Sequence, residues 1–128
     1  KTYRYVQSPG TFNSLGMVKI IFPNRFSVYL HDTNHRDYFE KNDRSISSGC
    51  VRVENPLELT EYLLNDEVNW SLEKITETLQ NERTKFVKIK KRVSFHLLYW
   101  TAWSENNKLI FRDDIYNLDA NLYNQLRN

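Results

Sequence analysis

Cysteine occurs once in these 128 residues, which excludes an internal disulfide framework and turns the question to what that single thiol is for. Long apolar runs are also missing. The two longest, around Ile20-Ile21-Phe22 and Leu97-Leu98-Tyr99-Trp100, fall far short of the roughly 18 residues that span a bilayer. Charge of one sign is scarce as well: 18 Lys and Arg stand against 16 Asp and Glu, a formal +2, too small and too dispersed to be a polyanion-binding footprint. No period of 20–50 residues repeats and no stretch is low-complexity, so solenoids and linkers are set aside. No signal-peptide pattern opens at Lys1, and location has to be argued from chemistry instead. What is present is the mixture of an ordinary globular domain: 40% hydrophobic, 14% aromatic and 27% charged, in a length that suits one domain, residues 1–128.

Alternation predicts strands over Met17–Phe22 and Phe26–His31, joined at Pro23-Asn24-Arg25. In the second, Ser27, Tyr29 and His31 share the less apolar face. Pro56 at a first helical position, with Glu58 three residues after Asn55 as in a capping box, predicts a helix to about Leu64 with Leu59, Tyr62 and Leu63 as its apolar stripe. Ser71 is placed to cap a second helix whose Leu72, Ile75 and Leu79 recur at helical spacing. From Phe86 the period becomes two, and Val93, Phe95, Leu97, Tyr99, Thr101 and Trp103 read as a long buried strand. A turn over Ser104–Asn107, a returning strand over Lys108–Arg112 and a helical tail from about Asp119 complete the chain. The order makes an α+β domain.

The most unusual stretch is Arg44-Ser45-Ile46-Ser47-Ser48-Gly49-Cys50-Val51-Arg52-Val53. Small residues let backbone N–H groups approach a ligand closely, and consecutive N–H groups in a turn can form a nest for an oxyanion. A thiol needs a base to react at neutral pH, and an imidazole is the usual one. His31, nineteen positions upstream, is the candidate. A lone Cys is commonly just a buried small hydrophobe, so the surrounding motifs decide.

Those motifs resemble the L,D-transpeptidase catalytic domain, the YkuD domain, and in particular its larger envelope-bound branch. His31, fifteen residues, then Ser47-Ser48-Gly49-Cys50-Val51-Arg52 follow the family signature, with Ser48 where His is usual. Pro9-Gly10-Thr11-Phe12-Asn13-Ser14-Leu15-Gly16, Ile21-Phe22-Pro23-Asn24 and Val28-Tyr29-Leu30-His31-Asp32-Thr33 are similar to its upstream motifs. Tyr99-Trp100-Thr101-Ala102-Trp103 and Phe111-Arg112-Asp113-Asp114-Ile115-Tyr116 are similar to its final hairpin.

The resemblance implies an α+β fold of mixed or antiparallel, sandwich-like sheet with short helices, lacking the strands that precede the Pro-Gly motif in the family. It implies a cysteine acyltransferase of peptidoglycan stem peptides that needs no cofactor or metal. Cys50 is then the nucleophile and His31 its base. The Asp32 carbonyl orients that His, Gly49 and Cys50 supply oxyanion N–H groups, and Ser47 and Ser48 shape the pocket. Arg52 holds either the turn or a substrate carboxylate, and Ser47 and Tyr29 join it on the substrate side. The product is a cross-link between two third-position residues; water as acceptor makes the enzyme an L,D-carboxypeptidase instead, and loss of activity leaves a wall-binding relative. Carbapenem-type β-lactams are the expected inhibitors, the cell envelope or periplasm is the expected location, and membrane attachment would come only through regions outside this chain.

Other features read more plainly. His35 follows His31 by four, a spacing that makes a metal pair only on a helix. His96 falls inside the predicted long strand. The basic run Lys85–Arg92 alternates like a strand with a solvated face; its aromatics are not interleaved as stacking platforms, so it does not point to nucleic acid, and attraction to anionic wall polymer is its functional alternative. Trp100, Trp103, Tyr99 and Tyr116 are core by pattern. A papain-like peptidase places Cys before His, the reverse of the order here.

Overall fold

The computed structural model describes residues 2–3, 5–81 and 83–127. The chain divides into two compact units, Lys1–Val93 and Ser94–Asn128. Among the described residues the content is α+β, with two small sheets and four short α-helices.

The first unit is built around a three-stranded sheet in chain order: β1 (Lys19–Ile20), β2 (Leu30–His31) and β3 (Val51–Arg52). β1 pairs with β2 antiparallel and β2 with β3 parallel. The strands are far shorter than the alternation of Met17–Phe22 and Phe26–His31 predicts, and Asn24 is the cause. Its amide donates to the carbonyls of Phe22 and Val28 at 3.0 and 2.7 Å, and its Oδ1 accepts from the N–H groups of Phe26 and Val28. One side chain thus takes backbone groups that a hairpin ladder would have used. Leu30, His31, Asp32 and Thr33 are consecutive and buried, three of them polar, so the interior of this unit is centred on the end of β2. Each buried polar group there needs a partner.

After β3 come α1 (Pro56–Leu64), α2 (Glu67–Trp70) and α3 (Leu72–Leu79). Pro56 opens α1 as expected, but the Asn55 side chain makes no capping bond, so the predicted box does not form. α1 ends at Asn65 in the left-handed region, its N–H bonded to the Glu61 carbonyl. Ser71 caps α3 by accepting from the Lys74 N–H, as its position predicted. Glu61 accepts from the Leu72 N–H at 2.6 Å, which fastens α1 to the start of α3 and sets a carboxylate at a helix N-terminus. Leu64 and Ile75 are the buried apolar anchors, whereas Tyr62 and Leu72 are exposed, so each predicted stripe is narrower than its spacing suggests.

Residues 86–101 form no strand, contrary to the long buried strand read from their alternation. Val93, Phe95, Leu97, Leu98 and Trp100 are exposed. A period of two makes a strand only where another strand runs alongside, and among the described residues no strand is laddered with 86–101.

The second unit holds the hairpin β4 (Ala102–Glu105) and β5 (Lys108–Phe111), followed by α4 (Asp119–Leu126). Asn106 and Asn107 both have positive φ, 51° and 60°, the signature of the two-residue turn that matches strand twist. Asp114 ties the unit together: it accepts from the Tyr99 hydroxyl and from the N–H groups of Leu118 and Asp119. Those backbone bonds, led by the one from Asp119, lower its pKa.

Candidate functional site

Strand register assembles the site. Lys19 of β1 lies opposite His31 of β2, which in turn lies opposite Arg52 of β3, and residues directly paired across strands project to the same face. Tyr29 and Cys50 precede His31 and Arg52 by two, which brings them to that face as well. The contacts agree: the Tyr29 and His31 rings meet edge to face at 5.7 Å, and the Lys19 Nζ sits 3.7 Å above the Tyr29 ring. Tyr29 has its pKa raised, first by hydrogen bonding with Cys50, then by burial and by the negative charge that Cys50 carries as a thiolate.

His31 is buried at the strand end, its Nδ1 2.5 Å from the carbonyl of Asp32. A carbonyl only accepts, so the ring proton belongs on Nδ1 and the lone pair of the neutral ring on Nε2. Burial lowers the His31 pKa from its ordinary 6.5; the Asp32 carbonyl and carboxylate oppose this, while the charges of Arg52 and Lys19 add to it. The result is an imidazole kept neutral and free to take a proton at physiological pH.

The Asp32 carboxylate is committed elsewhere. It forms an ion pair with Arg36 and accepts from the Met17 N–H at 2.7 Å, while the Asp32 N–H donates to Val18. Arg36 also donates to the Glu54 carbonyl at 2.7 Å, past the end of β3. Asp32 and Arg36 thus lock the segment before β1 and the exit of β3 onto β2, and the Asp32 backbone is held where its carbonyl meets His31. Gly16, at φ +60°, passes so close that a Cβ there would lie 2.3 Å from the Asp32 carboxyl carbon.

On the nucleophile side, the Ser47 hydroxyl donates to the Cys50 carbonyl at 2.8 Å and accepts from the Gly49 N–H at 3.2 Å. Gly49 has φ +127°, a backbone state that L side chains rarely adopt. Ser48 is exposed at the tip of this loop and Cys50 is a half-buried free thiol. Of the N–H groups expected to face an oxyanion, that of Gly49 is engaged by Ser47, and that of Cys50 donates to no protein group among the described residues. Arg52 reaches back to the Ile46 carbonyl at 3.5 Å and lies 5.1 Å from the Tyr38 ring, with its Nε buried and unpartnered.

The structure therefore brings Tyr29, His31, Cys50 and Arg52 to one face, with the Asp32 carbonyl behind the imidazole and Ser47, Ser48 and Gly49 in the adjoining loop. Sequence reasoning missed Lys19 and Arg36. Lys19 was within reach of it: pairing the two predicted strands across Pro23-Asn24-Arg25 sets Lys19 opposite Tyr29, on the face that also carries His31. Arg36 was not, because its second partner, the Glu54 carbonyl, lies eighteen residues along the chain. His35 stacks on Tyr38 at 4.9 Å. Among the described residues no His, Cys, Asp or Glu cluster of metal-binding size gathers, and no helix is long and apolar enough to cross a membrane.

Comparison with known proteins gives two findings. The model of the L,D-transpeptidase catalytic domain, YkuD, matches residues 1–91. A Haemophilus influenzae protein provisionally named an L,D-transpeptidase is 36% identical over 120 residues, covering 94% of this chain. The chain spans 24% of the length of that relative.

Proposed function

This chain belongs to the L,D-transpeptidase catalytic domain family, and from that premise we propose that it is a cysteine acyltransferase that cross-links peptidoglycan stem peptides in the cell envelope. The observation that carries the reading is the register that sets Cys50 and Arg52 on the face of His31, with the His31 Nδ1 held by a carbonyl so that Nε2 is left to work on the thiol.

The chemistry is two acyl transfers. Nε2 of His31 takes the proton of Cys50, and the sulfur attacks the carbonyl of the diamino acid at the third position of a tetrapeptide stem. The tetrahedral oxyanion that forms is stabilised by backbone N–H donors, of which the Cys50 N–H is free to serve at once. Its collapse breaks the amide bond; the leaving D-Ala takes the proton back from His31, and the acyl group remains on sulfur as a thioester. The side-chain amine of a neighbouring stem then attacks the thioester while His31 removes its proton, which releases the thiolate and forms a bond between two third-position residues. In this reading Tyr29, next to Cys50 on the same face, is one wall of the acyl site.

Carbapenems acylate such a nucleophile by the same first step, because opening the strained lactam needs only attack at its carbonyl. Incubation of the intact protein with a carbapenem is expected to add one inhibitor mass to the wild type and none to Cys50→Ala, as read by mass spectrometry. A folded wild type that stays unmodified, or an equal adduct on Cys50→Ala, would overturn the reading.

A further inference from the structure

Lys19 and Arg52 are two cations on the site face that have no carboxylate of their own. The register sets them on either side of His31 in one row across three strands. Neither takes part in an ion pair among the described residues, and the nearby acid, Asp32, is occupied by Arg36 and the Met17 N–H. Lys19 is exposed, with its ammonium steadied over the Tyr29 ring, while Arg52 is half-buried with one guanidinium N–H unanswered. Positive charge left unbalanced beside a nucleophile draws an anion to it.

We infer that Lys19, seconded by Arg52, is the carboxylate-recognising residue of this site, and that its ligand is a peptide ending in a free carboxylate one residue beyond the attacked bond. The identification of that peptide as the acyl donor rests on the acyl-transfer reading above. The geometry suits it. The terminal carboxylate of such a donor lies about one residue length, roughly 3.8 Å, from the attacked carbonyl, and neighbouring strands lie about 4.8 Å apart. A donor attacked by Cys50 beside β3 therefore carries its carboxylate to the level of β2, the middle strand, where the Lys19 ammonium, reaching over from β1, sits 3.7 Å above the Tyr29 ring. Lys19 is suited to hold it there: an ammonium on a flexible stem takes a carboxylate without demanding the bidentate approach of an arginine.

The experiment compares the wild type, Lys19→Met and Lys19→Arg, each shown to be folded by circular dichroism. Alkylation of Cys50 is timed with iodoacetate, which carries a carboxylate, and with neutral iodoacetamide. Turnover is measured on a tetrapeptide stem and on the same stem amidated at its C-terminus. In Lys19→Met the iodoacetate-to-iodoacetamide rate ratio is expected to fall about threefold or more. The kcat/KM for the free-acid stem is expected to fall about tenfold, mainly through KM, while the amidated stem is scarcely affected, and Lys19→Arg restores both readouts. An unchanged ratio together with an unchanged preference for acid over amide would overturn the inference, as would an equal loss on both stems. If no stem is turned over and the ratio still falls, Lys19 stands as the carboxylate site and the acyl-transfer reading fails.

Discussion

Replacing His31 by glutamine should lower turnover by about 10²- to 10⁴-fold, the usual worth of a positioned general base, while the protein stays folded. Glutamine is chosen because it fills much of the same buried space and can donate to the Asp32 carbonyl as Nδ1 does, yet cannot exchange a proton near neutral pH. The pH profile carries the sharper part of the prediction. Burial first, then the charges of Arg52 and Lys19, lower the His31 pKa below its ordinary 6.5, so its neutral form persists on the acid side of that value. Wild-type activity should therefore hold as pH falls through 6.5 and decline only through the lower folded value. Stability moves in the same direction: the unfolded chain takes up the proton more readily, so the contribution of His31 is whole above about pH 6.5 and is lost as the pH falls through the folded pKa. Activity of His31→Gln within tenfold of wild type, or an acid limb at or above 6.5, would remove His31 from the role of base.

What could be read from the chain beforehand divides along the range of the interactions involved. Pro56 as the first residue of α1, Ser71 as the cap of α3, the paired left-handed Asn106 and Asn107 and the start of α4 at Asp119 are set by neighbours within a few residues, and local pattern finds them. Strands are set by partners far along the chain. The six-residue alternations before Phe22 and before His31 shrink to two residues each because the Asn24 amide satisfies the backbone around the turn, and among the described residues no strand is laddered with the alternation over 86–101. The site follows the same division. His31 and Cys50 stand out by spacing and by the small residues before the thiol. The ion pair of Arg36 with Asp32, and the row from Lys19 to Arg52, exist only once three strands are in register. Asp32 shows the limit most clearly: its carbonyl carries the link to His31, but its side chain anchors the segment before β1, a task no local motif announces.

Gly16→Ala is expected to be the most damaging single-methyl change in the described chain, because three costs coincide on one atom. At φ +60° an alanine forfeits about 1–2 kcal/mol to the left-handed backbone. The new Cβ would stand 2.3 Å from Cγ and Oδ2 of Asp32 and 2.5 Å from its Cβ, an overlap that must be relieved by moving one segment or the other, at about 1–3 kcal/mol more. Asp32 is badly placed to give way, since it is 3% exposed and its carboxylate holds both Arg36 and the Met17 N–H; retreat leaves a buried charge short of partners. A loss of about 3 kcal/mol or more follows, seen as a melting point lower by roughly 10 °C in a domain of this size. Gly10→Ala is the control. Its φ of +147° also disfavours a side chain, but nothing lies within 4 Å of the added methyl, so only the backbone cost applies. Function should fall further than stability in Gly16→Ala: a shift of Asp32 carries with it the carbonyl that fixes the His31 tautomer, so turnover at a temperature where the variant is still folded should drop at least about tenfold, as misplacement of a catalytic group by even an ångström does. A Gly16→Ala protein that melts like Gly10→Ala and turns over like the wild type would show that the Asp32 anchor is not what holds the base in place.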